Sequence, residues 1–291
     1  MKPARRSPYN RLPVICLSVA AFIGLFASSS QATLIATESF NYTQGSSVIG
    51  LGTNTGWPTP GQTWSGSSLG KIDTDSKMSY NNLLTSGNHL ETAIVNGQAD
   101  GVYRSFGNTY STAGNTYWFS TLIRVDVAAG TSYGGVSLFT GTNPSTATEH
   151  FFYGQRNADA MWGFEQHGKL GADSKISSTN QVVGFLVVEL IGGTGGGNGT
   201  ANLYVNPTSL GGSAPSTASA TFSFADFSFD AYRVQSGSKT NSPNEKVDVD
   251  ELRFGTTYGD VTPTIPEPTT YILLFIGIGA VAVCRRLMKI S

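Results

Sequence analysis

Between Thr33 and Ile265 the chain never sustains a helical repeat; short runs of β-branched and aromatic residues recur about every 10 to 20 residues instead. The clearest run, Tyr117 to Val127, sends Tyr117, Phe119, Thr121, Ile123 and Val125 one way and Trp118, Ser120, Leu122, Arg124 and Asp126 the other. Further strands are expected at Leu34–Phe40, His89–Val95, Gly101–Phe106, Gly135–Thr140, Glu149–Gln155 and Met161–Gln166, and again at Val182–Ile191, Ala201–Val205, Phe227–Val234 and Lys246–Phe254. Clusters of Gly, Asn, Ser and Thr separate them, as turns require. So many strands in about 230 residues exceed an immunoglobulin-type sandwich. They predict one all-β domain, a two-sheet antiparallel jelly-roll sandwich.

Composition narrows the chemistry of that domain. Both cysteines, Cys16 and Cys284, fall outside it, so its stability must come from an apolar core without disulfides. Between Thr33 and Ile265 lie 11 of the 18 Lys and Arg and 18 of the 19 acids, a net −7. A surface of that sign, without a basic stripe, excludes nucleic acid as a partner.

The two ends read as address labels. Lys2, Arg5, Arg6 and Arg11 precede an apolar stretch from Leu12 to Ala27, and Ser30-Gln31-Ala32 ends in a small residue, so 1–32 is expected to be a signal peptide. Residues 263–291 hold Pro266-Glu267-Pro268, an uncharged apolar run from Tyr271 to Cys284, then Arg285, Arg286 and Lys289. As a helix, the 16 residues from Thr269 to Cys284 would extend about 24 Å, a little short of a bilayer's ~30 Å hydrocarbon core. A transmembrane segment at about 270–284 is therefore expected to span with snorkelling or local thinning, its cations on the cytoplasmic side and the 33–262 domain outside.

The order of these tail elements resembles the PEP-CTERM sorting tail of exported bacterial surface proteins. The resemblance implies that an exosortase-type membrane protease recognises Pro266, Glu267 and Pro268, with Arg285 and Arg286 as the stop signal, and cuts near the proline pair. Four segments of the domain also look like the laminin-G-like, concanavalin A-like domains that often precede such tails. They are Glu38-Ser39-Phe40-Asn41-Tyr42, Thr116-Tyr117-Trp118-Phe119-Ser120, Leu203-Tyr204-Val205-Asn206-Pro207 and Val249-Asp250-Glu251-Leu252-Arg253-Phe254-Gly255-Thr256. That likeness implies two curved antiparallel sheets with the first and last strands as neighbours. It implies no activity, because the same fold carries lectins, glycanases, lyases and adhesion modules.

Candidate chemistry is sparse. Glycanases of this fold set acid and nucleophile on one strand face in an E-x-D-x-E-like alternation. Asp248 and Asp250 share a face, but Glu251 breaks the alternation, and the phase change from Val247 and Val249 to Leu252 and Phe254 predicts a bulge. No catalytic residues are assigned, and the chain is expected not to be an enzyme. Asp248, Asp250 and Glu251, like Asp73 and Asp75, are candidate Ca²⁺ ligands, or else carboxylates that bond turn amides and hold the last strand in place. No other cofactor is indicated, since His89, His150 and His167 show no metal-ligand spacing and no nucleophile elbow is present. The six glycines from Gly192 to Gly199 lack the Lys-Ser/Thr of a phosphate loop and read as a hairpin connection.

Aromatics offer the remaining ligand signal. Trp57 and Trp64, in a loop around Pro58-Thr59-Pro60-Gly61, are candidates for stacking on sugar rings, with packing over the sandwich edge as the alternative; Trp118 and Trp162 are expected in the core. The sequence thus describes an exported surface or extracellular-matrix protein that binds polysaccharide or envelope polymers without cleaving them. A polysaccharide-cleaving glycanase or lyase of the same fold is the alternative.

Overall fold

Alternation along each strand becomes two stacked antiparallel sheets in the computed structural model. It describes residues 33–266 apart from 53–55, 68–69, 75–76, 94–99, 127–131, 144–146, 157–159, 167–168 and 239–245. The signal peptide at 1–32, the apolar span at 270–284 and the candidate residues Asp75, Glu267, Pro268, Arg285 and Arg286 lie outside the described residues. Among those described, no helix is long and apolar enough to cross a membrane.

In chain order the strands begin with β1 (Leu34–Glu38), β2 (Ser65–Gly66), β3 (Lys71–Asp73), β4 (His89–Ala93) and β5 (Asp100–Ser111). Then come β6 (Thr116–Asp126), β7 (Ser132–Thr140), β8 (Thr148–Gln155), β9 (Met161–Gln166) and β10 (Lys169–Ser177). β11 (Val183–Ile191), β12 (Gly199–Val205), β13 (Ala220–Phe224), β14 (Ser228–Ser238) and β15 (Lys246–Gly255) follow, and among the described residues a single helical turn, α1 (Tyr258–Val261), comes after them. One sheet has eight strands in the order β13-β12-β11-β6-β15-β4-β3, with β1 also paired to β15; the other has seven, β10-β9-β8-β7-β14-β5-β2. The domain is an antiparallel jelly-roll sandwich.

The first and last strands are neighbours, as the laminin-G-like resemblance implies. β1 and β4 lie end to end along one edge of β15, and β6 lies along the other. The expected bulge is present: the β15–β6 register shifts between Asp250 and Arg253, and Glu251 takes a left-handed φ of +52°. Val247 and Val249 before it, and Leu252 and Phe254 after it, all reach the core. The glycine-rich segment joins β11 to β12, whose ladder runs from Ile191 opposite Thr200 to Leu186 opposite Val205.

Between the sheets, Phe119, Ile123, Val125, Leu186 and Val188 pack with Val136, Leu138, Phe151, Tyr153 and Val234. Phe119 and Phe254 stack at 4.8 Å with an 8° interplanar angle, and Tyr110, Tyr117 and Phe229 meet Phe254 at 4.9 to 5.7 Å. β6 is buried on its other face as well, where Trp118 and Leu122 join Phe185, Val187 and Tyr204 beneath Met78, Leu83, Tyr258 and Val261. α1 is fastened there by a Thr257/Asp260 capping box, by Ser120 Oγ donating to the Val261 carbonyl (2.6 Å) and by the Tyr258 hydroxyl donating to the Ser209 carbonyl (2.6 Å). Beyond it, the Leu84 N–H donates to the Pro263 carbonyl (2.8 Å) and Leu83 bridges Thr264. The compact unit runs from Thr33 to Thr264.

Candidate functional site

Of the two readings open for the loop tryptophans, stacking on sugar rings or packing over the sandwich edge, burial favours packing: Trp57 is 8% exposed and Trp64 1%, so neither is placed to stack on a sugar. Trp57 stacks on Phe106 (5.4 Å), lies 3.9 Å beneath the Arg104 guanidinium and donates its indole N–H to the Ser105 carbonyl (2.6 Å). Trp64 packs on Phe40 and donates to Glu38 (3.3 Å). Arg104 and Glu38, both fully buried, form an ion pair, and Arg104 also donates to the carbonyls of Gly52 and Gln62. The loop is thereby folded down onto the sandwich, which leaves neither indole a face for ligand. Trp118 (7%) and Trp162 (2%) are buried as expected.

The acidic candidates are engaged internally. Asp248 receives the guanidinium of Arg124, its cross-strand partner, at 2.6 and 2.7 Å, with His89 Nε2 at 3.7 Å. Glu251 accepts from the Ser86 N–H (2.5 Å) and pairs with Arg253 (2.5 Å), which also donates to the Leu84 carbonyl. Asp250 accepts the Glu251 N–H (2.8 Å). Burial, then the adjacent Glu251, pushes the Asp250 carboxyl well above its ordinary range, and burial raises Glu251 against the pull of Arg253. Asp73 accepts the Thr74 N–H (2.5 Å). Among the described residues no three metal-ligating side chains cluster; Asp248 is held by Arg124, Asp250 by the Glu251 N–H, and Glu251 by Ser86 and Arg253, while Asp75 lies outside the described residues.

A cleft that sequence reasoning missed opens on the outer face of the seven-stranded sheet. It encloses about 250 Å3 and is lined by Tyr133, Glu149, Phe152, Glu165, Arg233 and Gln235. Strand register explains how residues so distant in sequence meet. Glu165, Phe152, Ser137, Arg233 and Tyr103 form one row across β9, β8, β7, β14 and β5. The next outward row is Gly163, Gly154, Gly135, Gln235 and Gly101, almost without side chains. Neighbours use that room by lying flat. A Cβ on Gly135 or Gly154 would stand 2.9 or 3.1 Å from the Phe152 ring, and one on Gly237 only 2.3 Å from the Tyr133 ring and hydroxyl. Glycines on five strands were the available signal.

Polar side chains are ordered over this floor. Gln235 Nε2 donates to Ser137 Oγ (2.9 Å), which donates to Glu149 Oε1 (3.1 Å). The other Glu149 oxygen faces Arg233 at 3.8 Å, both side chains being partly solvated, so the pair orients more than it stabilises. Arg233 also lies near the rings of Tyr103 (5.3 Å) and Phe139 (5.4 Å). Burial raises the Tyr133 phenol above its ordinary range; the Arg233 charge opposes this, while Glu149 and Glu165 add to it. The cleft thus presents carboxylate acceptors beside guanidinium and phenol donors. Phe152, only 2% exposed, lies beneath them.

Among comparisons with known proteins, the one that bears on this chain concerns the tail. Solved structures with distant likeness include the globular domain of T. cruzi calreticulin, with 8% identity, a TM-score of 0.47, and 88% of this chain and 99% of that one covered. Domain 4 of an extracellular arabinanase from Geobacillus stearothermophilus, in complex with arabinotriose, gives 15% identity, a TM-score of 0.41, and coverage of 79% and 97%. The alginate lyase of Corynebacterium sp. gives 10% identity, a TM-score of 0.40, and coverage of 74% and 95%. No curated protein matches the chain in sequence. The family model for the PEP-CTERM protein-sorting motif matches residues 264–289. It begins where the Leu83–Thr264 bridge ends the sandwich and takes in Pro266, Glu267, Pro268, Arg285 and Arg286. The chain carries a PEP-CTERM sorting motif, which implies an exported, envelope-associated protein recognised by an exosortase.

Proposed function

We propose that the protein is a non-catalytic surface or matrix component that holds polysaccharide in the cleft on its seven-stranded sheet and is released from the membrane by cleavage at the sorting motif. The observation that carries this reading is the cleft itself, whose exposed lining is polar, pre-ordered and mounted on rigid strands. Its volume, just under the roughly 300–1,000 Å3 of typical small-molecule sites, suits one sugar ring of a longer chain.

The enzymatic alternative now draws on one feature, two carboxylates, Glu149 and Glu165, lining a single cleft. Glu149 is already engaged by Ser137 and Arg233, which favours a binding role over nucleophilic attack. Incubation with a polysaccharide panel, reading both retention and new chain ends, separates the two readings. Retention without cleavage is expected. New reducing or unsaturated ends, lost in Glu165→Gln, would make the protein an enzyme.

A further inference from the structure

We infer that the cleft selects neutral, hydroxyl-rich sugars and rejects uronic or sulfated ones. This rests on the polysaccharide-binding reading and narrows it to one chemical class. A sugar hydroxyl both donates and accepts, so it is best met where acceptors and donors stand side by side. Glu149 and Glu165 supply acceptors, Arg233 and Tyr133 supply donors, and all four line the same cavity.

An anionic sugar meets a different balance. Its natural receptor would be Arg233, but that guanidinium already faces Glu149 at 3.8 Å. A uronate would have to displace Glu149 and would then lie in a cleft that also holds Glu165, two like charges for one cation. Tyr133 cannot compensate with charge, since a phenol carries no positive form; burial, with both carboxylates, raises its titration above the ordinary range and leaves it a neutral donor. At longer range, the net −7 between Thr33 and Ile265 repels polyanions before contact.

The test presents the full-length protein, in detergent, with neutral gluco-, manno- and arabino-oligosaccharides and with uronic-acid oligosaccharides of matched length. Neutral chains should bind at least about tenfold more tightly, with affinity insensitive to added salt. Glu149→Gln should weaken neutral binding roughly tenfold or more, and Tyr133→Phe, which keeps the ring, should weaken it by a smaller factor. Tighter binding of the uronic chains would overturn the selectivity while leaving the polysaccharide-binding reading intact. Binding of neither class would overturn both. Neutral binding unchanged in Tyr133→Phe, and in Glu149→Gln where that variant retains its sheet content, would remove the assignment to this cleft.

Discussion

Arg104→Met is the substitution that most directly tests how the early loop is held. Arg104 and Glu38 are each fully buried, and Arg104 reaches β1 through Glu38, the loop through the carbonyls of Gly52 and Gln62, and the Trp57 ring at 3.9 Å. Removing the cation leaves a carboxylate sealed from water, a loss of about 3–5 kcal/mol. At about 2–4 °C per kcal/mol for a domain of this size, the melting temperature should fall by roughly 6–20 °C. Glu38→Gln in the same chain removes the stranded charge but keeps an amide oxygen for the Phe40 N–H, which now donates to Glu38 at 2.9 Å. The double variant should recover more than half of the loss. Thermal unfolding followed by circular dichroism, completed as a double-mutant cycle, reads both numbers. A single-variant loss below about 1 kcal/mol would refute the reasoning, as would a double variant that merely sums its parts.

Three further outcomes are expected. Burial and the neighbouring Glu251 hold the Asp250 proton to higher pH in the folded state than in the unfolded chain, which releases it above about pH 4, so its contribution to stability falls as pH rises from there. Asp250→Asn should therefore raise the melting temperature at neutral pH and leave it unchanged in acid; no gain at neutrality would contradict the assignment. Trp64→Ala should cost about 3–5 kcal/mol in urea unfolding yet leave glycan affinity of the folded fraction unchanged, so a selective loss of binding would restore the surface role denied to it here. Gly237→Ala places a methyl against the Tyr133 ring at 2.3 Å and should weaken glycan retention while preserving the sheet spectrum, making Gly237 a positioning residue; retention equal to wild type would show that Tyr133 is not held by that contact.

Much of the scaffold was legible because one residue type at one phase carries it. The switch from Val247 and Val249 to Leu252 and Phe254 announced the bulge, and the glycines after Ile191 announced a hairpin. The strands that escaped notice are informative. β10 and β13 sit at the outer edges of their sheets, where one neighbour is missing and the apolar requirement relaxes, so their sequences carry a weaker period. The fate of Trp57 and Trp64 was hidden for another reason. It depends on a pair separated by 66 residues, Glu38 and Arg104, and a local reading sees a loop with two large apolar side chains and no partner. The cleft was hidden in the same way, since its six lining residues come from four strands and meet only through register.

The position of β15 sets when the sandwich can close. Among the described residues it is the last strand in the chain, yet it fills the middle of its sheet, with β6 on one side and β1 and β4 on the other. A chain that emerges amino end first therefore carries a split sheet, its two halves unable to zip, until Lys246–Gly255 arrives. Only the short stretch from Thr256 to Ile265 then separates this closing strand from Pro266. Folding of the sandwich and presentation of the sorting signal are thus nearly simultaneous, and a chain stalled before Lys246 would display aggregation-prone strand edges with no tail by which to be sorted.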